Sequence, residues 1–452
     1  MSWGGKRVAI VGGGLSGLSA GFDLHRAGVA FDLFEAQPRF GGYVKTSQRD
    51  GFIIENGADS WIANKPWLEE LAHDLGIADE IVASPAVSPS TSILKRGKLT
   101  TLPSGLSLFV PSDLSATDAS PLFSEETKRR FHEELAHPPA PLPEEQDESV
   151  ASFVERHFGR EVVDTLAAPL LAGVYGGDAN GLSARAVIPG LVALEAKYSS
   201  LVRGAQLTRP VQASATGVFR TFLGGMSTVV DALVAQLPSA SLHGDSCVMS
   251  AKQSDGSWSM QTSTGTREGY SHLILALPIP AVAQVLGIEL PRMRYSSAAT
   301  VALAYDSELS LPPGFGFLVA SGEPCAILAA TFVQQKWRDR VPVAKSLIRA
   351  FVSDPKLLAA PDGVMLLAAQ DALRVVLGLE AEPMFAVIDR WPNSMPQYEV
   401  GHLQRVAEIR DFVARCGDVY LAGNSYDGVG MPDAVRTGRA AARAVMTAGI
   451  RD

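Results

Sequence analysis

The sequence predicts an α/β and α+β protein: a Rossmann-type dinucleotide-binding domain made of discontinuous segments, a mixed or antiparallel-sheet domain, and a helical lobe. Three observations predict it. A G-x-G-x-x-G turn, Gly12-Gly13-Gly14-Leu15-Ser16-Gly17, stands between a strand-like and a helix-like run. A second strand, glycine-rich loop and helix, from Asp418 past Pro432, lies at the opposite end of the chain. Between them, over residues 298–352, short apolar runs suggest a separate sheet.

Taken in order, residues 7–11 form a β-branched run, residues 15–27 have helical spacing, and Ala30 to Phe34 alternate as a strand, which completes a βαβ unit. Helical periodicity returns at Trp67–Leu75. Residues 104–146 are rich in Pro, Ser and acidic side chains, with Pro139 to Pro143 and Glu144-Glu145 reading as an exposed linker. Asp147-Glu148-Ser149 opens a helical region reaching Leu171, and Cys247-Val248-Met249 is strand-like. Thr300 to Leu303 and Ala326-Ile327-Leu328 read as sheet strands, and Val364–Leu377 and His402–Cys416 as helices. The expected division is a cofactor domain over 1–85, 205–285 and 396–452, a substrate domain over 86–103 and 286–395, and a helical lobe over 104–204.

Composition narrows the function. The 452 residues carry a net charge of −9, which argues against nucleic-acid binding, since a phosphate backbone rewards clustered Lys and Arg. Three well-separated cysteines, Cys247, Cys325 and Cys416, suit neither a disulfide framework nor a metal site, and a reducing cytoplasm is the expected location. The apolar run after Lys6-Arg7 stops at the glycine triplet, too early for a secretory leader. No apolar stretch approaches the roughly 20 residues needed to span a bilayer.

The glycine turn has a physical logic. Gly12 permits the tight turn, Gly14 lets a pyrophosphate approach the backbone, and Gly17 lets helix and strand pack, while the helix N-terminus attracts phosphate charge. Glu35 ends the second strand, where a carboxylate accepts ribose hydroxyls and repels a 2′-phosphate. Ala36 follows it, and Arg39, Gly41, Gly42 and Tyr43 continue as E-x-x-x-R-x-G-G, an extension that resembles the flavin-dependent amine oxidase and desaturase superfamily. At the far end, Gly423 and Asn424 close a strand, and Val429, Gly430 and Met431 lead into a helix whose N-terminus can stabilise charge on a reduced flavin. Two such segments at opposite ends point to FAD rather than NAD. Leu15, Ser16, Gly13 and the run Gly57-Ala58-Asp59-Ser60 complete the expected cofactor residues, with Val248 resembling the superfamily position whose backbone meets the adenine.

Over nearly its whole length the chain resembles the oxygen-dependent protoporphyrinogen oxidases. The segments that carry this are Gly51 to Ser60, Leu170 to Asp178, Trp391-Pro392 through Tyr398, Gly401-His402-Leu403 and Leu421 to Asp433. The resemblance implies oxidation of protoporphyrinogen IX to protoporphyrin IX by FAD, with dioxygen reoxidising the flavin to give hydrogen peroxide, in heme biosynthesis. Such a substrate needs a wide apolar pocket, and the candidates are Gly173, Val174, Tyr175, Gly316, Phe317, Leu318, Ile327, Phe332 and Phe351; of these, Gly173, Gly316 and Leu318 match positions that the family places round its substrate. The place where some members carry an arginine for a propionate is Thr91 here, so either Lys95, Arg96 or Lys98 takes over or the carboxylates remain in solvent, which keeps coproporphyrinogen III as a rival substrate. A different oxidase of the superfamily, or a non-catalytic FAD-stabilised scaffold or chaperone, would also carry these motifs.

No general base is evident. His132, His137, His157, His243 and His272 read as satisfied or exposed, and a porphyrinogen meso carbon activated by its pyrrole nitrogens needs mainly positioning and electrostatics to lose a hydride. The expectations are completed by a peripheral contact with the cytoplasmic face of a membrane through Leu106-Ser107-Leu108-Phe109-Val110-Pro111, and by a homodimer.

Overall fold

A computed structural model describes residues 6–86, 91–143, 145–208 and 216–449; Glu144 of the expected linker lies outside them. Its centre is a five-stranded parallel sheet in the order Leu242–His243, Ala30–Phe34, Arg7–Val11, His272–Leu275 and Val419–Leu421. The inner strands are buried along most of their length, as continuous apolar runs in a parallel sheet require. The helix Leu15–Arg26 follows the glycine turn, and the helix Met431–Ala448 packs directly on it. Their contact is glycine-dependent: a Cβ on Gly438 would come within 2.0 Å of the Ser16 carbonyl oxygen. Arg439 locks the same crossing, with Nε 3.0 Å from an Asp23 carboxylate oxygen.

A seven-stranded mixed sheet makes the second layer, in the order Phe385–Pro396, Tyr295–Tyr305, Ser346–Val352, Ala329–Phe332, Gly316–Val319, Ser92–Lys95 and Lys98–Thr101. All its pairings are antiparallel except that of Gly316–Val319 with Ser92–Lys95. The expected strand Ala326–Leu328 is displaced. The chain is still turning at Cys325, whose N–H donates to the Glu323 carbonyl at 2.9 Å, and joins the ladder only at Leu328, so the strand begins at Ala329. One face of this sheet packs under the helix Asp362–Leu377 through Phe317, Phe332, Ile348 and Ala350. The pleat sends Leu318, Arg349 and Phe351 to the opposite face.

The third part is helical: Glu125–Ala136, Val150–Phe158, a run from Arg160 to Tyr175 containing a π-turn at Val163–Ala167, Pro189–Tyr198 and Leu201–Thr208. It extends four residues past the expected end at Leu171, and its Ser149 start is a true N-cap. A buried ion cluster pins the lobe. His157 Nδ1 lies 2.9 Å from Glu134 and its Nε2 3.0 Å from Glu195, so His157 is satisfied, as expected, but by two carboxylates. Burial pushes the imidazole pKa down, and the two carboxylates more than offset this, leaving it raised. The run Leu106–Pro111 is a tight hairpin whose Phe109 and Val110 are buried, with Leu108 at its exposed tip. Among the described residues, no helix is long and apolar enough to cross a membrane.

Candidate cofactor and substrate site

The glycine turn has the conformation its sequence requires. Gly12 has φ +105°, outside the range of L side chains, and a Cβ on Gly17 would lie 1.9 Å from the Gly12 carbonyl oxygen. Gly14 is different: a Cβ there would meet nothing nearer than Gly42 Cα at 3.8 Å, so the two glycines face each other across a narrow gap. Gly41 N–H donates to the Gly13 carbonyl at 2.8 Å, and the Arg39 guanidinium folds back onto the carbonyls of Phe40, Gly42 and Val44. Arg39 therefore shapes this loop. Glu35 stays half-buried, with one carboxylate oxygen accepting from Gly13 N–H at 2.7 Å and the other from Gln37 N–H at 2.9 Å. Ser246 N–H donates to the Glu35 carbonyl, which brings Val248 to the same end of the sheet.

From there a chain of contacts leads to the other end of the sequence. A Cβ on Gly57 would strike the Tyr43 carbonyl oxygen at 1.8 Å, the Tyr43 ring meets Trp391 edge-on at 5.9 Å, and Trp391 Nε1 donates to the Asn56 carbonyl. Asn424 Nδ2 reaches the Ser394 carbonyl at 3.4 Å, and Gly423, with φ +118°, has no atom within 4 Å of its notional Cβ. Tyr398 then joins this loop to the segment Gly173-Val174-Tyr175: its hydroxyl donates to the Asn424 carbonyl and accepts from Gly428 N–H, while its ring packs against Tyr175 at 5.7 Å. Gln397 Nε2 fixes the Tyr175 carbonyl at 2.7 Å.

These residues fit a dinucleotide. Four helices of the lobe start on side-chain caps, Asp113, Ser124, Ser149 and Ser183, whereas Leu15–Arg26 and Met431–Ala448 start on Gly14 and Gly430 with no side-chain cap. Their first-turn N–H groups are thus left for an anionic ligand, and no Cβ blocks its approach at Gly14 or Gly423.

The family model for flavin containing amine oxidoreductases matches residues 15–446. The chain belongs to that family. It is a flavoprotein oxidoreductase with FAD as cofactor, and the fold class and the resemblance read from the sequence both hold. Among curated proteins it is 32% identical to the coproporphyrinogen III oxidase of Bacillus subtilis, covering 99% of each chain. It is 25% identical to the chloroplastic and mitochondrial protoporphyrinogen oxidase 2 of Arabidopsis thaliana, covering 98% of this chain and 94% of that one. A solved Exiguobacterium structure provisionally assigned as a protoporphyrinogen oxidase superposes with a TM-score of 0.89 at 32% identity, covering 99% of each chain. Putrescine oxidase, at 18% identity and TM-score 0.72, shares the fold.

The substrate candidates divide by sheet face. Phe317, Ile327 and Phe332 are about as buried as a residue can be, at 2%, 2% and 1% exposure, in the core beneath the helix Asp362–Leu377. Their side chains are core, and adjacency to Gly316 and Leu318 was misleading because the strand alternates. Gly316 leaves no gap either: its Cβ would fall 1.9 Å from the Ala330 carbonyl oxygen, so glycine serves close strand packing. Leu318 and Phe351 lie on the other face, toward the Gly57 loop and the helical lobe. Gly173 faces open space and Val174 is 57% exposed, whereas Tyr175 is buried.

Several polar residues at this site carry no sequence motif. Lys65 Nζ lies 2.5 Å from Asp433 Oδ2, which joins the loop before Trp67–Leu75 to the last helix. Lys336, Arg340 and Arg349 converge under residues 55–60. A lone Arg in the apolar strand Ser346–Val352 is the one signal that could have flagged Arg349, since charged residues are seldom buried without a partner. Among the described residues, no histidine is positioned as a base. His402 is fully buried, stacked on Tyr398 at 3.7 Å with Nε2 against the Tyr426 carbonyl, and burial lowers its pKa.

Proposed function

We propose that the protein oxidises coproporphyrinogen III to coproporphyrin III, with dioxygen as the terminal acceptor and hydrogen peroxide as product. The observation that carries this reading is end-to-end similarity, with 97–99% of this chain covered, to proteins named coproporphyrinogen III oxidase from Bacillus, Staphylococcus, Propionibacterium and Mycobacterium, at 28–32% identity. FAD supplies a two-electron acceptor for hydride. The protein's part is to hold the flexible macrocycle against it: the opening at Gly173-Val174, the apolar Leu318 and Phe351, and the absence among the described residues of a histidine positioned as a base all suit a substrate whose pyrrole nitrogens provide the activation.

The carboxylates of the substrate bear on the choice. Thr91 takes no part as a cation, and its carbonyl accepts from Leu102 N–H. Lys95 is committed to Glu161 at 2.7 Å and to the Leu122 carbonyl, which leaves Arg96 and Lys98 exposed on the turn into the edge strand Lys98–Thr101 as carboxylate partners. Protoporphyrinogen IX is the second reading, supported by the Arabidopsis relative. Both substrates should be offered to the FAD-bound protein while porphyrin fluorescence and peroxide are followed together. Faster coproporphyrin formation with matching peroxide is expected. Faster protoporphyrin formation would transfer the assignment, and no turnover of either would refute it.

A further inference from the structure

The segment Glu55–Ser60 is gripped on one side by side chains of the seven-stranded sheet and the short helices beside it, while Thr46, Thr221 and the Met226 N–H hold Glu55 and Asp59 from the cofactor domain. Asn56 presents its carbonyl to Thr300 Oγ1 at 2.8 Å and to Trp391 Nε1 at 2.9 Å, and its amide to Asp389. Arg349 donates to the Gly57 carbonyl. Lys336 Nζ donates to Asp59 Oδ2 at 2.8 Å and to Ser60 Oγ at 3.0 Å, and Arg340 pairs with Glu55 at 2.6 Å.

Adhesion alone is a poor explanation for this arrangement. Lys336, Arg340 and Arg349 are 7%, 2% and 4% exposed, and apolar replacement of buried ion pairs is often neutral or stabilising. Nor do the charges balance. Four cations, counting Lys45 on Asp389, face the three carboxylates Glu55, Asp59 and Asp389. Arg349 Nε and Asn56 Oδ1 are buried without a protein partner, so the network is not closed on itself. Burial pushes the Asp59 carboxyl up, but Lys336 and Arg349 more than offset this and hold it ionised. The two cations lie 2.8 Å and 4.0 Å from the same Asp59 oxygen, so this group of three carries one positive charge in excess, and burial lowers the Arg349 pKa against the pull of Asp59, Glu55 and Asp389.

We propose that Arg349 is a positioning residue for the cofactor: it fixes the Gly57 carbonyl and, with Lys336, places an uncompensated buried positive charge behind the loop, favouring the reduced flavin. This rests on the reading that Gly57–Ser60 flanks the flavin, and it is independent of which porphyrinogen is the substrate. Arg349 acts through the loop and through its field, which water screens little at a buried site.

The test uses FAD-bound Arg349→Gln, which keeps a donor for the Gly57 carbonyl but loses the charge, and Arg349→Lys, which keeps the charge. Midpoint potentials are measured by equilibration with redox dyes, without substrate. A shift to more negative potential is expected in Arg349→Gln, with most of it restored in Arg349→Lys. Lys336→Gln should shift the same way and replaces Arg349→Gln should that variant not fold. Unchanged potentials in variants that retain FAD overturn the proposal. In that event Ala58→Leu separates the causes: an altered flavin spectrum or affinity would mean that only the charge role failed, and none would mean that the loop does not lie beside the flavin.

Discussion

Gly17 and His157 show how far one side chain can matter. A methyl group on Gly17 would collide with the Gly12 carbonyl, and the turn has no slack because Gly12 already sits at positive φ. Gly17→Ala is therefore expected to lose bound flavin, read as the ratio of 450 nm to 280 nm absorbance; full FAD occupancy would contradict the packing argument. At His157 both ring nitrogens meet carboxylates, which favours the protonated ring, and Arg156 Nη1, 3.3 Å from Nε2, opposes it only in part. A histidine whose folded pKa is raised contributes stability that is complete below its unfolded value of about 6.5 and fades as pH climbs through the folded value. The neighbouring Glu195 carboxyl, pushed up by burial but lowered overall by His157 and Arg156, fades in the opposite direction, as pH falls. Replacing His157 by Leu should cost about 3–5 kcal/mol near pH 6, the range for breaking a buried ion pair. The gap to wild type should narrow in alkaline melts, and a gap independent of pH would show that packing, not charge, is what was lost.

At the scale of single elements, the strand Gly316–Val319 makes the sharpest prediction. Phe317→Ala opens a cavity under the helix Asp362–Leu377 and should destabilise by about 3–5 kcal/mol in a denaturant titration while leaving KM near wild type. Leu318→Ala should do the reverse, with little loss of stability and a raised KM for porphyrinogen. If the two variants behaved alike, the division of faces would be wrong. The same strand marks the limit of sequence reading. The first strand, the helix at Trp67–Leu75 and the two glycine loops were legible because each has a local cause: periodicity, a forbidden φ, a cap. Which face of a strand meets the site depends on partners distant in sequence, so Phe317 and Leu318 looked equivalent. Lys336 and Arg349 went unnoticed for the same reason, since their partner Asp59 lies 277 residues from Lys336.

For the whole molecule, the cofactor site exists only when distant segments are docked. Asp23 and Arg439 are 416 residues apart and meet beside the crossing of the two glycine-entered helices. FAD binding to the assembled form alone should raise stability by about 2.7 kcal/mol at a free concentration one hundred times its Kd. Gly438→Val, which forces the helices apart, should lower the melting temperature and weaken FAD together, measured on stripped and reloaded protein. Loss of stability with FAD affinity intact would show that the crossing does not shape the site.

The Gly438–Ser16 contact also bears on how the protein is made. A ribosome delivers Gly12–Gly17 early, yet the helix that seals that turn emerges after the mixed sheet and the lobe have been synthesised. The five-stranded sheet must wait with its edge at His272–Leu275 exposed until Val419–Leu421 arrives. Tight flavin binding is thus expected only after the helix Met431–Ala448 has been made. In a cell short of FAD, the species that accumulates would be a chain with finished outer parts and an open centre, which is the form most exposed to proteases and to aggregation.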